Sequence, residues 1–505
     1  PPRSTLFPYT TLFRSLGMLP QSMVQAVDLL PYFEETPCFE GVPRGYNARC
    51  GYVTVAETRD PARADTTNLM RLAVVIIPSR AAVPQPDPVI YLDGGPGGYT
   101  LRFASFYLSV FAPLLATRDL ILFDQRGVGY SEPSMKCPEY VERAYAQLES
   151  ETTWEEERRL LLDALRTCAE RHVASGVNLA AYNSAENAAD VVDIAHALGF
   201  EQVNLLGISY GTRLGLHVLR DAPQLVRAAV FDGVYPPHLN SYHEIVRNTY
   251  EAFERLFTAC ARSADCAASH PNLSQDFYDL LLRLDESPVL RLIYDPSRGR
   301  SSMMMVTGEV LVSALFNMLY DTERIPELPG LIQGAIGGDY DPFLRELLDF
   351  TAYIDMALAE NMYFAVECAD GAFAGVGQDW PAQPMIPAQA MLAISPELLE
   401  QADFMRYACP TLGRPAAHPG MPERVTSDVP VLLLSGEFDP VTPTRWAQDA
   451  ALGLSNHYLF ELPGVGHSAY LSGNCGQSLA LAFLNDPLRA PNAGCIDQMP
   501  RPFPP

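Results

Sequence analysis

Gly207-Ile208-Ser209-Tyr210-Gly211 stands between the apolar run Gln202-Val203-Asn204-Leu205-Leu206 and a helix-forming stretch, Thr212 to Arg220. That order predicts strand, sharp turn, helix. In a G-x-S-x-G turn the serine takes a strained backbone conformation, and the flanking glycines let strand and helix pass without a Cβ clash. The hydroxyl is thereby lifted above the sheet edge. A bare G-x-S-x-G is also an ordinary glycine-rich turn, so the reading depends on whether a base and an acid for this serine follow later in the chain.

Both follow, in the order serine, acid, histidine. His457 to Leu462 reads as a strand running into Pro463-Gly464-Val465-Gly466-His467, and Val429 to Leu434 as a strand running into Ser435-Gly436-Glu437-Phe438-Asp439. Strand ends of an open parallel sheet share one edge, where ligands bind. His467 is therefore the candidate general base and Asp439 the residue that orients it. Glu437 competes with Asp439, but Asp439 lies further into the loop and precedes Pro440-Val441-Thr442-Pro443. Thr442 is read as a hydroxyl bracing that loop or as a simple cap. Upstream, the strand Pro88 to Leu92 enters Asp93-Gly94-Gly95-Pro96-Gly97-Gly98. This loop lacks the Lys-Ser/Thr of a phosphate-binding P-loop, and it suits an amide donor to an oxyanion. The N–H groups of Gly95 and Tyr210 are the expected pair. This chemistry requires no metal or organic cofactor.

The elements around these motifs set the fold class. Gly51 to Ala56 and Leu69 to Ile77 read as an edge hairpin, and Asp119 to Phe123 as a strand ending in Asp124-Gln125-Arg126-Gly127, a turn read as bracing. Glu151 to His172 and Ser184 to Leu198 read as helices, with Ser184 as the N-cap of the second, and Val226 to Phe231 as a further strand. The β-α-β alternation predicts an α/β fold, a mostly parallel central sheet flanked by helices. From about 238 to 424 the sequence is helical, aromatic, methionine-bearing and proline-broken, without strand alternation. The expected organisation is a core over 30–237 and 425–505, with a mainly helical cap, 238–424, inserted before the acid-bearing strand.

Composition narrows the function classes. With 60 acidic and 35 basic side chains the net charge is −25, which repels phosphate backbones, so nucleic acid is not an expected partner. No apolar run approaches the length needed to span a bilayer, so no integral membrane segment is expected. The ten cysteines form no C-x-x-C pair. They fall as five neighbouring couples, Cys38 with Cys50, Cys137 with Cys168, Cys260 with Cys266, Cys368 with Cys409 and Cys475 with Cys495, which predicts local disulfides and an oxidising compartment. Thr5 to Ser15 reads as an in-frame translation of a sequencing-library adapter. Residues 1–15 are accordingly left out of the fold reading, and a signal peptide would have been lost with the natural start.

Gly94-Gly95-Pro96-Gly97, Asp124-Gln125-Arg126-Gly127, Gly207 to Thr212, Gly436 to Pro443 and Gly464 to His467 together resemble the α/β-hydrolase serine peptidases of the prolyl iminopeptidase and secreted tripeptidyl aminopeptidase type. The resemblance implies Ser209, Asp439 and His467 as a triad, and release of residues or short peptides from free N-termini. Asp93 stands where prolyl iminopeptidases usually have histidine, which points to the tripeptidyl-like branch. It also implies a secreted or periplasmic protein and a cap-borne acid for the substrate's ammonium. The candidates are Glu367 and Asp370, because the apolar run Met362 to Val366 leads into them and Cys368 is expected to pin the segment to Cys409. The expected substrate is a peptide or small acyl compound. A carboxylesterase is the alternative, since the same triad cleaves esters and the cap selects substrate, and a non-catalytic binding protein is the third reading.

Overall fold

The computed structural model describes residues 31–59, 68–149, 153–371, 386–413 and 423–504. The expectation for residues 1–15 lies outside these residues. The first half contains β1 (Tyr32–Thr36), β2 (Arg49–Ala56), β3 (Leu69–Ile77), β4 (Val89–Leu92), α1 (Ala104–Val110), β5 (Leu120–Phe123), α2 (Pro138–Leu148), α3 (Trp154–Ala174), α4 (Ser184–Ala197), β6 (Val203–Ile208), α5 (Tyr210–Asp221) and β7 (Val226–Asp232). Next come α6 (Ser241–Arg262), α7 (Ala264–Ser269), α8 (Leu273–Glu286), β8 (Val289–Asp295), β9 (Arg300–Val306), α9 (Gly308–Met318), α10 (Leu328–Ile336), α11 (Asp341–Ala357), α12 (Glu360–Ala369) and α13 (Ala388–Thr411). The chain then returns with β10 (Val431–Gly436), α14 (Thr444–Ala451), β11 (His457–Leu462) and α15 (Asn474–Asn485).

Nine strands form one sheet in the order β1-β2-β3-β5-β4-β6-β7-β10-β11. From β5 to β11 every neighbour is parallel, while β1, β2 and β3 form an antiparallel edge. The edge strand β1, with its exposed Glu34 and Glu35, had no apolar signal in the sequence. The central strands are apolar along their whole length because both faces are covered. Alternate side chains divide between two cores: Leu205 and Leu433 enter one, Leu206, Leu432 and Leu434 the other.

The residues between β7 and β10 build a separate apolar core around Phe253, Phe277, Leu281, Leu315 and Phe343. They are mainly helical, yet β8 and β9 form an antiparallel hairpin there, against the expectation of no strand alternation. The alternation is present in Val289-Leu-Arg-Leu-Ile-Tyr-Asp295, with Ile293 and Asp295 buried and Leu292 and Tyr294 exposed. Its outward residues are themselves apolar, which hides the period. All five cysteine couples are disulfide-bonded as the sequence predicts.

Candidate active site

Ser209 occupies the turn between β6 and α5 with φ 55° and ψ −123°, a conformation that costs a non-glycine residue about 1–3 kcal/mol. Its surroundings enforce it. A Cβ on Gly211 would lie 1.9 Å from the Leu92 carbonyl oxygen, so only glycine lets α5 approach β4 this closely. The Ser209 N–H donates to the Asp232 carbonyl at 3.0 Å. Among the described residues its hydroxyl has no hydrogen-bond partner, and it lines a cavity of about 550 Å³ shared with His467, Gly95 and Glu367.

His467 follows β11, and its N–H donates to the Tyr320 carbonyl at 3.1 Å. Its Nδ1 lies 2.8 Å from Asp439 Oδ2. A carboxylate only accepts, so Nδ1 carries the proton and Nε2 is left with a lone pair. Asp439 is fixed in turn: its Oδ1 accepts from the N–H groups of Val441 and Thr442, and its Oδ2 from the Thr442 hydroxyl at 2.6 Å. Burial alone would depress the His467 pKa, but the Asp439 carboxylate, its hydrogen bond and Asp232 raise it above the ordinary imidazole value. For Asp439, burial pulls upward and His467 with Thr442 prevails, holding it below the usual carboxylate range. Glu437 accepts from the Gly464 N–H at 2.8 Å and is not a lining residue of the cavity.

Asp232, at the end of β7, gave no signal beyond being an aspartate at a strand end. Its carboxylate accepts from Ser468 Oγ and from the N–H groups of Ala469 and Tyr470 at 2.7–3.0 Å, tying the histidine loop to the strand beside the serine turn.

The loop after β4 places Gly95, φ 111°, on the cavity. Among the described residues its N–H has no acceptor, and the Tyr210 N–H, first in α5, lacks an intrahelical one. Asp93 orients the loop, because its buried carboxylate accepts from Gly94 N–H, Tyr91 OH, Thr100 Oγ1 and Tyr107 OH at 2.8–3.0 Å. Asp124 holds the same loop through the N–H groups of Thr100 and Leu101. Arg126 is buried and bonds Asp190 on α4 with two nitrogens at 2.7 Å, so both residues of this turn brace neighbouring segments.

The two acids expected in the insertion part company. Glu367 is 4% exposed, lines the cavity, and leaves Oε2 without a hydrogen bond. Burial raises its pKa to about 7, opposed by Arg213 and Tyr235 and assisted by Asp370. Asp370 does not line the cavity. Its carboxylate accepts from the Ser184 N–H and hydroxyl and pairs with Arg213 at 3.4 Å, so a buried cation and a helix start occupy it in place of a substrate. This also corrects the expected helix cap: Ser184 Oγ is taken by Asp370 and Tyr210 OH, and Asn183 caps α4 by accepting from the Glu186 N–H at 2.9 Å.

Such an arrangement can deprotonate a serine hydroxyl, offer two amide donors to a developing oxyanion, and bury a carboxyl in the same cavity. Residues 87–289 match the alpha/beta hydrolase fold family, and residues 399–495 match a family described as TAP-like protein. The chain is 25% identical over 484 residues to serine protease Hip1 of Mycobacterium tuberculosis, covering 89% of this chain and 88% of that one. It is 27% identical over 425 residues to a tripeptidyl aminopeptidase of Streptomyces coelicolor, covering 79% and 73%. It is 28% identical over 482 residues to carboxylesterase B of Mycobacterium tuberculosis, covering 87% and 84%. The chain is thus a serine hydrolase with an α/β-hydrolase fold, its residues 399–495 match a TAP-like family, and it resembles the serine peptidases of the prolyl iminopeptidase and secreted tripeptidyl aminopeptidase type.

Proposed function

We propose that this hydrolase is an aminopeptidase acting through an acyl-enzyme on Ser209. His467 takes the hydroxyl proton and returns it to the leaving amine, Asp439 holds the imidazole in the required tautomer, and the N–H groups of Gly95 and Tyr210 receive the oxyanion. Glu367 receives the ammonium of the substrate's N-terminus. The insertion, 238–424, is the cap that selects substrate. The observation that carries this reading is the unpaired Glu367 oxygen, buried in the cavity that also holds Ser209 and His467. A buried carboxylate oxygen without a hydrogen bond is costly, and a substrate ammonium meets that need. Five disulfides support a secreted or periplasmic setting, and no helix among the described residues is long and apolar enough to cross a membrane.

Carboxylesterase activity is the second reading, favoured by the aromatic lining of the cavity, Tyr235, Tyr320, Phe350 and Trp446 among it. Rates on an amino-acyl anilide, its N-blocked form and a short-chain aryl ester separate the two. The aminopeptidase reading expects the free-amine anilide to exceed its blocked form at least tenfold in kcat/KM; equal rates on both, with a faster ester, would overturn it. Ser209→Ala is expected to abolish fluorophosphonate labelling and nearly all turnover, leaving about 10³-fold over water.

A further inference from the structure

The cavity has two ends of unlike character. At one, Glu367 lies with Tyr235, Tyr363 and Trp446. At the other, the edge of Tyr320 meets the His467 ring with centroids 5.1 Å apart, Phe350 lies 6.3 Å beyond Tyr320, and Tyr353 and Leu471 continue the wall. The chemistry distinguishes these ends. As the Ser209 Oγ–carbonyl bond forms and the carbon–nitrogen bond breaks, the imidazole passes the serine's proton to the departing nitrogen. The departing group therefore lies on the imidazole's side, and the acyl chain points away from it toward Glu367.

Two further facts describe what departs. No Lys or Arg is among the described residues lining the cavity, so no side-chain cation there is offered to the carboxylate that ends a peptide. Tyr353 lines the cavity and is 54% exposed, which marks its mouth on this side.

We propose that Tyr320, Phe350, Tyr353 and Leu471 form a leaving-side subsite that takes an apolar side chain on the residue following the scissile bond, with the rest of the peptide running out past Tyr353. This rests on the peptidase reading. The test uses one free-amine acyl portion joined to glycinamide, leucinamide or phenylalaninamide, none of which carries a carboxylate. Wild-type kcat/KM is expected to be about tenfold higher for Leu and Phe than for Gly. In Phe350→Ala and Tyr353→Ala the Leu/Gly ratio, taken within each variant so that common losses cancel, is expected to fall to about threefold or less. Should either variant not fold, the wild-type acyl-enzyme formed from a methyl ester is partitioned between water and added leucinamide or glycinamide. The same preference is expected there, because the acceptor amine returns through the site the leaving amine vacates. Equal rates for the three amides, or a Leu preference that survives both substitutions, would overturn the proposal. Repeating the series with the amine blocked separates the two readings: undiminished rates remove the aminopeptidase, while the Leu/Gly ratio still judges the subsite.

Discussion

At Glu367 the protein keeps a carboxyl with a pKa of about 7 that its unfolded chain would ionise near 4.5. Between those values the native state holds a proton that the unfolded state has lost, so stability falls as pH rises through the window and the full penalty stands above pH 7. Glu367→Gln removes the penalty. Calorimetry is expected to give the variant a higher Tm than wild type at pH 8, corresponding to of order 1–3 kcal/mol of unfolding free energy, and an equal one at pH 4. The same variant is expected to lose ten- to a hundredfold in kcat/KM on free-amine substrates and little on aryl esters; an unchanged Tm at pH 8 would place the carboxylate in water. His467 carries the opposite requirement. Four groups face it: Asp439 and the Thr442 hydroxyl from the loop after β10, Asp232 from the end of β7, and the Tyr320 ring from the insertion. Only the neutral imidazole accepts a proton, so kcat/KM on a neutral ester is expected to rise with pH through one ionisation above 6.5. Asp232→Asn takes away one of the two raising charges, and its pH profile is expected to move downward. A profile that does not move would confine Asp232 to holding the loop.

Between elements, the loop after β4 is held by the insertion as much as by the sheet. Tyr99 N–H donates to the Ala357 carbonyl and Ala359 N–H to the Gly97 carbonyl, both at 2.9 Å, and Gly98 bridges Leu358. Lys136 secures the inserted side through Glu360 Oε1 at 2.7 Å and the Leu358 carbonyl at 3.3 Å, while Glu360 Oε2 accepts from the Cys137 N–H. On the proposed function, an insertion bonded this way to residues 97–99 is expected to position the Gly95 amide. Lys136→Met leaves the buried Glu360 without its cation and is expected to cost about 3 kcal/mol in denaturant unfolding. It is also expected to lower kcat about tenfold on peptide and ester alike, with KM nearly unchanged, as befits a group acting on the oxyanion rather than on substrate identity. Losses confined to one substrate class would contradict this. None of these backbone contacts has a signature in residue type, which is why the loop's glycines were readable and their supports were not.

Across the whole molecule, the disulfide Cys368–Cys409 joins α12, one residue after Glu367, to α13 and closes a separation of 41 residues. Constraining an unfolded loop of that length is worth about 4 kcal/mol in the chain-entropy treatment. The Cys368→Ser, Cys409→Ser double variant is expected to lose up to that amount in denaturant unfolding and to bind free-amine substrates more weakly. A variant as stable as wild type would show that the apolar packing of α12 suffices. What the sequence by itself determined is whatever depends on local pattern: the strand–turn–helix around Ser209, the parallel core from continuous apolar runs, the nearest-neighbour cysteine pairing, and the strand-end positions of Asp439 and His467. Each follows from propensity, periodicity or short loop closure, which a linear chain displays. Only the tertiary structure decided between Glu367 and Asp370, three residues apart on one helix end. Arg213, on α5, claims Asp370 through an ion pair, and Glu367 is left facing the cavity with an oxygen unmet. The same holds for Asp232, Lys136 and Tyr320. Their work depends on partners more than a hundred residues away, and burial and charge pairing are set by where the fold brings those partners.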